Sequence, residues 1–94
     1  MKIDFIYKDL ECSLESKQDN KCNLSVKSEF DFIKFASDNY YNLIAITESS
    51  FKTMFYYRND TASKNMFDSV ESIESFIEEL RKIVFKMEQN NCLD

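Results

Sequence analysis

The stretch DSVESIESFIEELRKIVFKMEQ, residues 68–89, decides the fold. Val70, Ile73, Ile77, Leu80, Val84 and Met87 recur at spacings of three and four, which puts them on one stripe of a helix. Phe76 and Ile83 widen the stripe to the breadth of a globular core rather than a coiled-coil seam. Asp68 is placed to cap the first turn, with Glu71 at capping-box spacing. Glu71, Glu74, Glu78 and Glu79 crowd the front and Arg81, Lys82 and Lys86 the rear, an order that complements the helix dipole. Glu78 and Lys82 form an i, i+4 pair in the favourable direction. An amphipathic helix this long needs a broad apolar partner, and the remaining residues must supply it.

Upstream, Lys2 to Lys8 alternates, with Ile3, Phe5 and Tyr7 on one face. Ile6 breaks the pattern and suggests contact with a second layer. From Leu10 the phase slips, which calls for a bulge or tight turn near Lys8-Asp9. Leu10–Ser16 and Cys22–Lys27 read as a hairpin across the polar loop Lys17–Lys21. If Ser16 faces Cys22, then Leu14 faces Leu24 and Cys12 faces Val26. On that register Cys12 and Cys22 are not opposite each other, so a disulfide between them is disfavoured.

Ser28 to Asp38 reads as a short helix with Ser28 as N-cap, Phe30, Phe32 and Phe35 as core, and Asn39 as a left-handed stop. Leu43-Ile44-Ala45-Ile46 is apolar on both faces and suggests a central strand over Tyr41 to Thr47. Phe51 to Arg58 suggests a further strand rich in aromatics. Residues 59–67 form the longest expected loop, with Met66 and Phe67 tucked under the final helix. Hairpins followed by helices give the α+β class. The expectation is one domain over residues 1–94, with a single antiparallel sheet of four to five strands. A short middle helix and a long C-terminal helix pack on one face of it.

Composition excludes more function classes than it suggests. The chain has 94 residues, of which 44% are apolar, which suits one domain with its own core. It contains no Gly, Pro, His or Trp. Without Gly there is no phosphate loop or dinucleotide fingerprint. Without His there is no His-based nucleophile couple and no His metal ligand. Three cysteines, Cys12, Cys22 and Cys92, lack the paired spacing of a zinc site and read as reduced thiols. No catalytic residue, cofactor or metal is therefore expected. The net charge of −5 argues against a nucleic-acid partner. No apolar run is long enough for a membrane span, and the charged N-terminal stretch does not resemble a signal peptide. These features point to a cytoplasmic protein.

Interaction residues come from charge and aromatics. Asp9, Glu11 and Glu15 leave the first hairpin on the side away from Leu10, Cys12 and Leu14. Tyr56 and Arg58 are expected to join them from the aromatic strand, since Tyr and Arg are enriched at interfaces. Charge would set the on-rate for a basic protein partner, and the aromatic anchor the off-rate. The expectation is a small acidic binding protein without enzymatic activity: an inhibitor or immunity protein that neutralises a basic toxin such as a nuclease. The alternatives are a phage-encoded inhibitor of host defence, or a homo-oligomeric structural or regulatory subunit, with a homodimer the simplest form.

Overall fold

The computed structural model of the chain describes residues 1–17, 21–57 and 66–92, and side chains as far as Gln89. Four strands come first: β1 (Lys2–Tyr7), β2 (Leu10–Ser16), β3 (Cys22–Lys27) and β4 (Phe32–Ser37). Two helices follow, α1 (Tyr40–Tyr57) and α2 (Val70–Cys92). The strands form one antiparallel meander in the order β1-β2-β3-β4. Alternation then settles which side is wet. Leu10, Cys12, Leu14, Cys22, Leu24 and Val26 point to one face and are buried there. Both helices cover that face, α1 over β3 and β4, α2 over β1 and β2. The class is α+β, with a middle and a C-terminal helix on one antiparallel sheet.

The first half follows the sequence closely. The phase slip at Lys8-Asp9 is a tight turn, and it separates two strands rather than bending one. Lys8 takes the left-handed conformation there, at φ 53°, because the chain has no glycine to do so. Such a residue costs on the order of 1 kcal/mol, which the flanking ladder must offset. In the second hairpin Ser16 pairs with Cys22, Leu14 with Leu24 and Cys12 with Val26, as the alternation requires. Cys12 and Cys22 are free thiols.

Residues 28–57 differ from the sequence reading. No helix spans Ser28 to Asp38; Phe32–Ser37 is the edge strand β4. Ser28 does accept a hydrogen bond, from the Asp31 amide at 3.0 Å. Its own amide donates to the Asp31 carbonyl at 2.8 Å, so the chain turns back into a hairpin instead of coiling forward. Of the three phenylalanines only Phe35 is buried, while Phe30 and Phe32 are exposed. Asn39 starts a helix rather than ending one: its Oδ1 accepts from the Asn42 amide at 2.8 Å. The two strands expected over Tyr41–Thr47 and Phe51–Arg58 are instead the single helix α1. Its buried positions, Leu43, Ile44, Thr47 and Phe51, keep helical spacing. Thr47 interrupts the apolar pattern in sequence yet is fully buried, its hydroxyl donating to the Leu43 carbonyl at 2.7 Å.

The final helix carries the expected face. Ile73, Phe76, Ile77, Leu80, Val84 and Met87 are all buried. Its cap lies one residue later than expected. Ser69 Oγ accepts from the Ser72 amide at 3.1 Å, and Ser72 Oγ accepts from the Ser69 amide at 3.3 Å. This is the reciprocal geometry of a capping box with serine in both roles. Lys82 bonds Glu79 at 3.3 Å rather than Glu78. Met66 and Phe67 are buried beneath the helix start, as expected. The rest of the expected loop, residues 59–65, lies outside the described residues.

Candidate functional site

Two turns and one helix start come together at one end of the molecule. The β1–β2 turn brings Lys8 and Asp9, the β3–β4 turn brings Ser28, Glu29 and Phe30, and the entry to α2 brings Asp68. Between them lies an open cleft of about 350 Å³, floored by Tyr7, Leu10, Met66 and Phe67. The floor is firm. Tyr7 packs edge-on against Phe76 at 5.5 Å, and its hydroxyl donates to the Ser72 carbonyl at 3.3 Å. Lys8 lies over the Tyr7 ring with its ammonium 5.6 Å from the centroid.

The open face of the sheet borders the same end. One cross-strand row runs Ile6, Glu11, Lys27, Phe32. Ile6 is 74% exposed, Phe30 78% and Phe32 59%. These three large apolar side chains are left wet around one end, beside four carboxylates: Asp9, Glu11, Glu29 and Asp68. Among the described residues Lys8 and Lys27 are the cations interspersed there, so these residues carry a surplus of negative charge. Further along, the open face is electrically balanced: Lys2 and Lys34 stand against Asp4 and Glu15.

The sequence-derived residues are therefore split. Asp9 and Glu11 belong to this end. Glu15 shares the open face with Glu11 but lies toward the other end, opposite Lys2 and with Lys17 Nζ at 4.0 Å. Its charge is compensated locally. Tyr56 is exposed on α1, in the helical layer behind the sheet, so it does not join the carboxylates. The aromatic strand that would have carried it there is part of a helix. Arg58 lies outside the described residues. For the apolar members of the site, Ile6, Phe30 and Phe32, the sequence pattern suggests layer contact or core instead. Ile6 did leave a signal, because it falls on the polar side of an otherwise clean alternation. It faces solvent there rather than a second layer.

The thiols lie elsewhere. Burial pushes Cys12 up to about 12. Burial, and then the nearby Asp38 charge, raises Cys22. A raised value keeps each sulfur protonated near neutrality, and the thiolate is the nucleophile. Native protein carrying Cys92→Ser should thus react with a thiol reagent at pH 8 far more slowly than the same protein unfolded, which should titrate two thiols. Rapid native labelling would show that the sheet does not seal them. The Cys92 side chain itself lies outside the described residues.

Among the described residues no three Cys, Asp or Glu side chains come together as metal ligands, and no helix is long and apolar enough to cross a membrane. Comparisons with known protein families, with characterised proteins and with solved structures return no match for this chain.

Proposed function

We propose that the protein is a non-enzymatic protein-binding module that docks on a basic protein through the turn end of its sheet. In this reading it is an inhibitor or immunity protein that neutralises a basic toxin such as a nuclease, in the reducing cytosol. The observations that support it are Phe30, exposed at the cleft beside Asp9, Glu29 and Asp68, and Ile6 and Phe32, exposed at the two ends of the row that also carries Glu11 and Lys27. Exposed large apolar side chains interleaved with charged ones offer both the anchors and the polar contacts of a specific interface. The carboxylates speed encounter with a cationic surface, and the buried anchors then slow departure. The buried thiols of Cys12 and Cys22 and the lack of histidine support a binding role over a catalytic one.

The test begins with the tagged chain expressed in its own cell, and recovery of the protein that co-purifies with it. Association is then measured with two double variants. Asp9→Lys with Glu11→Lys should slow association at least tenfold at low salt, and the difference should shrink as salt rises. Phe30→Ala with Phe32→Ala should leave association near normal and raise the dissociation rate. A partner that binds both double variants with unchanged kinetics would place the binding surface elsewhere. An acidic partner would remove the electrostatic half of the reading.

A further inference from the structure

The open face of the sheet has a charge pattern of its own. Three cross-strand rows span it. The first runs Ile6, Glu11, Lys27, Phe32; the second Asp4, Ser13, Ser25, Lys34; the third Lys2, Glu15, Asn23, Ala36. Its carboxylates and amines cancel, in a chain of net charge −5. The signs are also sorted. Asp4, Glu11 and Glu15 stand on β1 and β2, while Lys27 and Lys34 stand on β3 and β4. About 640 Å³ of open volume lies over this face, and both helices pack on the other one.

The register fixes what a second copy would meet if its open face were laid on this one. A two-fold axis along the strands, between β2 and β3, sets β1 against β4 and β2 against β3 in every row. Asp4 then meets Lys34 and Glu11 meets Lys27, each twice over. Ile6 meets Phe32, Ser13 meets Ser25, Glu15 meets Asn23 and Lys2 meets Ala36, so no like charges oppose each other. A two-fold axis across the strands does the reverse. It sets Asp4 on Asp4, Lys34 on Lys34 and Glu11 on Glu15, and opposed like charges are repelled.

We propose that the protein forms a homodimer, open face on open face, with the two-fold axis along the strands. Charge complementarity names the occupant. Two copies each carrying −5 repel through the rest of their surfaces, and on this face every carboxylate finds an amine or an amide. Ile6 and Phe32, 74% and 59% exposed in one copy, cover each other. Geometry agrees. Sheets pack about 10 Å apart with their strands within about 30° of one another, which keeps facing rows within reach of Lys and Glu side chains. Strands about 4.8 Å apart and about 3.3 Å per residue give a flat footprint of roughly 400 Å² per copy. That is below the ~800 Å² per partner of a standard interface, so the dimer is weak and reversible. It needs no basic partner and so goes beyond the docking reading. Ile6, Glu11 and Phe32 belong to both surfaces, so docking and dimerisation exclude one another; that consequence alone rests on the docking reading.

The experiment is sedimentation equilibrium on the full chain at about 10–200 μM, the range a small interface calls for. The mass should rise with concentration toward twice the 11.2 kDa of one chain. Asp4→Lys and Lys34→Glu should each weaken self-association at least tenfold, with an unchanged circular dichroism spectrum, because each sets like charges against one another at two places. An equimolar mixture of the two variants should dimerise again, since in the mixed pair positions 4 and 34 face each other with opposite signs. A wild-type chain that stays monomeric across that range overturns the proposal. So does a dimer that either variant leaves intact, or a mixture that stays monomeric. Neither Asp4 nor Lys34 belongs to the docking end, so a failed dimer leaves the docking reading standing, and a partner that binds elsewhere leaves the dimer standing.

Discussion

Phe76→Ala and Leu80→Ala should each destabilise the protein severely, by about 3–5 and 2–5 kcal/mol. A chain of this size has about 5–14 kcal/mol in all, so either change should leave a population that is partly unfolded at 37 °C. Both side chains are fully buried where α2 meets the sheet. Phe76 touches Tyr7 of β1, Phe51 of α1 and Phe67 of the α2 entry, at 5.5, 6.0 and 5.5 Å between ring centroids. Removing it opens a void bordered by three elements, none of which can close it without leaving another contact. Glu74 lies on the same helix, with its side chain 58% exposed and a 3.9 Å contact to Lys52. Glu74→Ala should cost less than about 1 kcal/mol, the ceiling for an exposed ion pair. Urea titrations of the three variants check this. Coincident midpoints would mean that α2 presents some other face to the sheet.

That prediction follows from the sequence because α2 repeats its apolar residues over about five turns, Val70 to Met87, and no polar residue interrupts the stripe. The first three strands were legible for a related reason. A five-residue loop and strict alternation leave one register that buries Cys12, Leu14, Leu24 and Val26 together. Residues 28–57 were not legible in the same way. The chain has no Gly or Pro, so no breaker marks where β4 ends or α1 begins. Ser28 and Asp31 carry the spacing of a helix cap but close a hairpin turn. The four apolar residues at 43–46 look like a two-sided strand in a short window. Only the longer spacing through Thr47 and Phe51 shows the helix, and Thr47 conceals it by being polar.

The site was legible in part for the same reasons. Asp9 and Glu11 follow from the alternation of β2. Phe30 and Phe32 do not, because their exposure depends on β4 lying at the sheet edge and on the open face staying uncovered. Both are tertiary facts. A phenylalanine in an alternating segment is core or surface according to which side the helices choose. Tyr56 falls on the wrong layer when residues 51–58 are read as a strand, because its side of the chain is set by the helix α1.

Phe51→Ala should be the other severe loss, about 3–5 kcal/mol. Phe51 is fully buried and sits at the centre of the aromatic cluster, with ring centroids 5.3 Å from Phe35, 4.8 Å from Phe67 and 6.0 Å from Phe76. All three contacts are close to edge-on, the arrangement in which the positive rim of one ring meets the negative face of another. Each pair adds about 0.5–1.5 kcal/mol beyond the burial itself. The cluster ties β4, α1 and α2 together, so the loss should be felt by the whole cooperative unit rather than by α1 alone. Phe51→Leu should recover part of the loss, since it keeps much of the volume without the ring. The double variant Phe51→Ala, Phe76→Ala should deviate from additivity by about 0.5–3 kcal/mol, because the two rings share one packing environment. Phe32→Ala is the control. Its ring is 59% exposed on the open face, and its removal should cost under about 1 kcal/mol while weakening the proposed docking end. Chemical unfolding monitored by circular dichroism separates the two positions. Equal losses at Phe51 and Phe32 would mean that the sheet buries both faces, and the open face with its exposed anchors would be lost with it.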